Sequence, residues 1–161
     1  MGYSPKYLGH VNIYVRNAER SQKWYEDILG LHTYDFVPGR AAFMSANKEE
    51  SHEVALMEVG DNAPGQEKGQ VGLNHMAWKM ENLRDLKEFY HRLKVKNVPM
   101  NVTDHGISLG IYFRDPDGKA LRCTMSLPAT SGTARRNSSC TVTGPRATSP
   151  VPGMKCWPDS N

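Results

Sequence analysis

Residues 72–80, G-L-N-H-M-A-W-K-M, repeat in kind what residues 7–15, Y-L-G-H-V-N-I-Y-V, have already set out. The earlier segment alternates in the manner of a half-buried strand. Superposing the two places His75 on His10 at an offset of 65 residues, and carries Asn17 onto Asn82, Trp24 onto Phe89 and Tyr25 onto Tyr90. Around the first copy, Asn17 reads as an N-cap for a helix over Ala18–Leu29 that buries Trp24, Tyr25, Ile28 and Leu29, and Gly30 stops it. Strands are expected at Thr33–Val37, Ala41–Ser45 and His52–Val59. A linker rich in Asp, Asn, Pro and Gly follows over Gly60–Gly72. The second copy continues with strands at Pro99–Val102, Ser108–Arg114 and from Lys119 onward. Two successive runs of strand, helix and three strands make an internal duplication of α+β class. Either copy alone leaves one sheet face wet.

The bulk properties narrow the function classes. A chain of 161 residues, 39% hydrophobic and 23% charged, carries one ordinary core or two small modules sharing one. No apolar run approaches the roughly 18 residues of a membrane span, and Lys6 stands where a myristoylation site needs Ser or Thr. The net charge of +3 is unevenly placed. Residues 120–161 hold Arg122, Arg135, Arg136, Arg146 and Lys155 against Asp159 alone. Of the chain's 20 basic and 17 acidic residues, 15 and 16 are left over 1–119, so no nucleic-acid surface is expected. Cys123, Cys140 and Cys156 also fall after residue 119, and a cysteine-free core fits a reducing cytoplasm.

The stretch His105–Arg122, H-G-I-S-L-G-I-Y-F-R-D-P-D-G-K-A-L-R, carries the chemistry. Tyr112 follows His105 by seven residues, and Asp115-Pro116-Asp117-Gly118 is a turn between two strands. The run resembles the signature of extradiol ring-cleavage dioxygenases in the vicinal-oxygen-chelate superfamily. There a His and a Tyr precede D-P-x-G, and an iron-binding Glu follows the Gly by three or four residues. Here that position is Arg122.

The resemblance covers residues 7 to about 122 and implies two tandem βαβββ modules whose sheets curve into a cleft, module one over 7–60 and module two over 71–127. It implies that His10 and His75 are the imidazoles of a 2-His-1-carboxylate site for Fe(II), with positions left open for substrate and O₂. It implies that His52 and His105 handle protons and oxygen, and that Tyr112 donates to a substrate oxygen. Such chemistry suits these residue types. A catechol must lose protons to chelate a metal, and an imidazole titrating near neutrality can take one. The expected activity is cleavage of catecholic rings by O₂ on a small-molecule substrate, with a homodimer open to the fold. His32 and His91 read as solvated.

Two other readings stay open. Glu58 ends the last strand of module one and, allowing one gap, is expected to be the counterpart of position 122; glyoxalase I-type enzymes take His or Gln, Glu, His and Glu from such places to hold Ni²⁺ or Zn²⁺, with Mn a further choice, for proton transfer on a hemithioacetal. Metal-free drug-binding relatives of the fold instead use the same cleft for small ligands.

Arg122 is a permanent cation with no lone pair. A divalent ion about 4 Å from a guanidinium, at an effective dielectric near 20, is repelled by roughly 8 kcal/mol. The departure has an economical origin. An ending D-G-N-G-I-E-V-Y-Y-E, typical of the family, can be encoded GAC GGC AAC GGC ATT GAG GTG TAC TAT GAG C. Loss of the last base of the Asn codon turns it into D-G-K-A-L-R-C-T-M-S, which is Asp117–Ser126 residue for residue. Everything from Lys119 is therefore expected to be out-of-frame translation. Residues 128–161, dominated by Ser, Thr, Pro, Gly and Arg without apolar period, are expected to be a disordered, non-native tail.

Overall fold

The computed structural model describes residues 2–126 and, as backbone, 138–142. The chain divides into two compact units, Met1–Gln70 with Asp115–Gly118, and Val71–Arg114 with Lys119–Asn161.

In the first unit β1 (Val11–Val15) leads into helix α1 (Ala18–Leu29), followed by β2 (His32–Val37), β3 (Ala41–Ser45) and β4 (Val54–Glu58). The sheet order is β1-β4-β3-β2, with β1 parallel to β4 and the other pairs antiparallel. The helix begins where Asn17, in extended conformation, accepts from the Arg20 N–H through Oδ1 at 2.8 Å. It ends at Gly30, whose N–H donates to the Glu26 carbonyl and whose φ of 73° turns the chain so that the Leu31 N–H donates to the Tyr25 carbonyl. Ala18, Ser21, Tyr25 and Ile28 form its buried stripe. The sequence places Trp24 and Leu29 there too, but both are only half-buried, because the 3.6-residue period sets them at the margins of the stripe.

The second unit repeats the order with β5 (Met76–Lys79), α2 (Leu83–Val95), β6 (Met100–Asp104), β7 (Ser108–Arg114) and β8 (Ala120–Ser126). Its sheet runs β5-β8-β7-β6-β9, and again the first strand is parallel to the fourth. Asn82 caps α2 as Asn17 caps α1, accepting from the Asp85 N–H at 3.0 Å. Leu86, Phe89 and Leu93 are buried, and the Phe89 ring lies 5.2 Å from that of Phe113 on β7. Ile111, Phe113, Leu121 and Cys123 thus form the helix-facing side of this sheet, so the core is not free of cysteine, contrary to the expectation from the sequence. At about 1.5–3 kcal/mol for each large side chain fully removed from water, these layers are what hold each unit together.

The duplication therefore stands in α+β form. Within the stretch expected to carry no fold, Ser138–Val142 form β9, antiparallel to β6. The remainder of 128–161, with Cys140's side chain and Cys156, lies outside the described residues.

The sequence places His10 and His75 near the middle of their strands. Each instead immediately precedes its strand. The reason lies in the partners, since the parallel ladders open with Val11 beside Val54 and Met76 beside Leu121. The strand expected from His52 likewise begins at Val54, after a bend over residues 51–53.

Candidate functional site

The site residues read from the sequence fall into both units. His10 and His52 belong to the first, and His75, His105, Tyr112 and Arg122 to the second.

In the first unit β1 and β4 start side by side, so the residues leading into them are neighbours. The His10 and His52 ring centroids stand 4.6 Å apart, and His52 also meets the Phe43 ring edge-on at 5.3 Å. His10 is exposed and His52 half-buried, with the Ser51 hydroxyl 3.1 Å from His52 Nδ1. The adjacent carboxylate is committed elsewhere. Glu53 Oε2 accepts from Ser45 Oγ and from the Ala46 and Asn47 N–H groups, tying down the loop between β3 and β4.

Glu58 does not join these imidazoles. It pairs with Val15 at the far end of the β1–β4 ladder, roughly 16 Å from the His10 end at 3.3 Å per residue. There its Oε2 accepts from the Ala18 N–H at 2.8 Å, serving the start of α1. The ladders also correct its expected equivalence to Arg122. Arg122 lies beside Ala77, whose counterpart Asn12 lies beside Ala55, so the repeat partner of Arg122 is Ala55.

In the second unit, the sheet face turned from α2 gathers the remaining residues. Tyr112 and Arg122 are register partners, and the guanidinium carbon sits 5.2 Å from the Tyr112 ring centroid. His75, leading into β5, meets the same ring edge-on at 5.7 Å. His105 Nε2 and Tyr112 Oη are 3.0 Å apart, so His105, at the β6–β7 turn, can receive the phenol proton or donate to its oxygen according to tautomer. His75 Nδ1 lies 2.7 Å from Asn74 Oδ1; that bond is made when Nδ1 carries the proton, leaving Nε2 as the lone-pair nitrogen. Tyr112 also borders a groove of about 550 Å³ lined by Pro99, Asn101, Arg114 and Ala120, which none of His75, His105, Ser108 and Arg122 lines.

Arg122 points into this face. Its Nη2 donates to Ser108 Oγ at 2.9 Å, while the buried Nε has no hydrogen-bond partner among the described residues. A Cβ on Gly110 would stand 2.6 Å from that Nε, so the guanidinium stem lies flat over a glycine that leaves room for it. Ser108 and Gly110 went unread in the sequence, although the period-two alternation that points Tyr112 to this face points them there also.

A resident metal of the 2-His-1-carboxylate kind does not fit these donors. Within the second unit the face offers the imidazoles of His75 and His105, the latter bonded to the Tyr112 phenol, and at the carboxylate position a cation lies across the phenol ring. Among the described residues no three His, Cys, Asp or Glu side chains form a metal-holding group. His32 is half-buried and His91 exposed.

Two βαβββ units, each with its first strand parallel to its last, and imidazoles leading into both first strands, define a duplicated sheet protein of the oxygen-chelate type. The profile of the Glyoxalase/Bleomycin resistance protein/Dioxygenase superfamily matches residues 7–122, and the chain belongs to that family. It is 33% identical over 116 residues to biphenyl-2,3-diol 1,2-dioxygenase 3 of Rhodococcus globerulus, covering 71% of this chain and 60% of that one. It is 30% identical over 119 residues to biphenyl-2,3-diol 1,2-dioxygenase 2 of the same organism, covering 73% and 61%. The chain thus spans about 60% of the length of these curated relatives. Among solved structures, a glyoxylase/bleomycin resistance protein/dioxygenase domain from Frankia sp. EAN1pec shares the fold with a TM-score of 0.65 at 23% identity, over 79% of this chain and 96% of that one. Among the described residues no helix is long and apolar enough to cross a membrane.

Proposed function

We propose that this chain descends from extradiol ring-cleavage dioxygenases acting with Fe(II) on an aromatic ring bearing two adjacent hydroxyls, and that as it stands it does not hold the metal. The observation that carries this is Arg122 lying on Tyr112, at the strand position where the family places its carboxylate. The relatives named for biphenyl-2,3-diol support the substrate class. The His105–Tyr112 pair supports a retained ability to take or return a proton at a ring hydroxyl. His10 and His75 are the imidazoles assigned to the ancestral site, and His52, tilted against His10 with ring centroids 4.6 Å apart, supports a proton-handling role beside it. The glyoxalase-type reading loses its support with Glu58 at the opposite end of the strands, capping α1.

The decisive experiment compares this chain with Arg122→Glu, measuring iron content after dialysis together with O₂ uptake on 2,3-dihydroxybiphenyl and catechol. This chain is expected to hold no stoichiometric iron and to take up no O₂, whereas the variant gains iron. Stoichiometric iron with turnover in the unaltered chain, or no gain of iron in the variant, overturns the reading. The proposed origin by a slipped base is read directly from the gene. If no single-base insertion near codon 119 restores G-I-E-V-Y-Y-E, that origin is wrong.

A further inference from the structure

We infer that the Arg122 face of the second unit is a metal-independent site for a small aromatic carboxylate bearing a ring hydroxyl, because a half-buried guanidinium and the His105–Tyr112 pair stand side by side on one sheet face.

Four observations lead there. The guanidinium is half-buried and, among the described residues, is recorded with a hydroxyl and an aromatic ring but with no carboxylate. A partly desolvated cation compensated only by neutral groups is one that an anion stabilises, and the planar fork of arginine matches a carboxylate's two oxygens. The fork is also fixed in place. Ser108 Oγ accepts from Nη2, the Tyr112 ring lies beneath, and Gly110 admits the stem, so little side-chain freedom remains to be lost on binding. Its neighbours are aromatic or imidazole, with Tyr112 in edge contact with His75 and bonded to His105, and they suit a flat ring better than a phosphate or an aliphatic acid. Finally, the Tyr112 hydroxyl and His105 Nε2 form a donor–acceptor pair that can satisfy a hydroxyl on that ring.

Charge selects among ligands. A catechol is neutral near pH 7 and gains little from a permanent cation, whereas a benzoate is ionised there. The same exchange of Glu for Arg that removes a metal donor reverses the sign of the ligand this face prefers. The inference rests on the reading above only in taking this face as the substrate side.

The test is calorimetric titration of the full chain with the hydroxybenzoates, benzoate and catechol in excess chelator. At least one hydroxybenzoate is expected to bind more tightly than benzoate, and benzoate more tightly than catechol. Arg122→Gln is expected to weaken hydroxybenzoate binding by roughly tenfold to a hundredfold, the range for a hydrogen bond to a charged group, while Tyr112→Phe reduces the hydroxybenzoate to the level of benzoate. No binding by any hydroxybenzoate, or equal binding by Arg122→Gln, overturns the inference. Should Arg122→Gln fail to fold, the ring resonances of Tyr112 in the unaltered chain decide. They shift on saturation with hydroxybenzoate if the site is real and stay still if it is not. Failure of Arg122→Glu to gain iron, with hydroxybenzoate still bound by the unaltered chain, refutes the lineage reading alone. Iron gained by that variant, with no hydroxybenzoate bound by the parent, refutes only the anion site.

Discussion

Arg122 crosses the β7–β8 ladder over Gly110, two residues before its own register partner Tyr112, and rests its guanidinium on the Tyr112 ring at 5.2 Å. The arginine has therefore not swung out of the sheet face, and its neighbours on β7 are arranged around it.

Gly110→Ala tests that arrangement. The new methyl would meet Nε at 2.6 Å and push the guanidinium, the far end of a flexible side chain, off the sheet, at a cost of about 1 kcal/mol, the low end for overpacking. In an Arg122→Ala background the same change is expected to cost well under half as much. Urea denaturation of the four proteins gives the coupling directly. Equal costs in both backgrounds would show that something other than the guanidinium fills the space over Gly110.

The two helix starts are predicted to behave alike. Asn17→Ala and Asn82→Ala each remove a side-chain acceptor from one N–H, at 2.8 and 3.0 Å, and each should lower stability by about 1 kcal/mol in chemical denaturation. Aspartate at position 17 keeps the acceptor and should cost much less, whereas at position 82 it would set a carboxylate against Asp85, whose Oδ2 accepts from Asn82 Nδ2 at 3.0 Å, and should cost more. An Asn82→Ala variant as stable as the parent would mean that α2 is held by its packing alone.

Alkaline pH should weaken the fold in two stages. Burial pushes the Cys123 thiol up to about 12, from an ordinary value of 9.0. Burial, with the charge of Asp115 beside it, holds the Tyr25 phenol far above its usual 10.0. The folded state keeps both protons where an unfolded chain has released them, so these contributions are complete below pH 9 and are lost as pH rises. Stability should fall by about 1.4 kcal/mol per pH unit between pH 9 and 10, and about twice as steeply above pH 10, where Tyr25 joins. Denaturation midpoints of the parent and Cys123→Ala over this range check it. An unchanged slope in the variant between pH 9 and 10 would remove the thiol as the cause.

Much of this architecture was written in local chemistry. Asn17 and Asn82 announce both helix starts, Gly30 one helix end, and Asp115–Gly118 the turn it forms, with the Gly118 N–H bonded to the Asp115 carbonyl. The site was legible as a list of residues but not as an arrangement. His10 and His75 look like mid-strand residues because their own alternation runs through them, while the strand limits are set by Val54 and Leu121, distant in sequence. The equation of Glu58 with Arg122 failed for the same reason, as ladder register is a property of two strands and not of one. Ser108, whose hydroxyl holds the guanidinium, carries no motif and emerges only from its facing.

Asp115–Gly118 belong to the first unit although the strands on either side of them belong to the second. Asp117, its side chain 3% exposed, accepts from the Arg16 N–H and pairs with Arg20 at 2.6 Å, and Asp115 accepts from the Tyr25 hydroxyl at 3.2 Å. A gene cut after codon 70 would thus yield an amino-terminal fragment bereft of two acids that answer its arginines and its deepest phenol. The halves repeat one plan, yet the first is complete only with a turn that the later half of the sequence supplies.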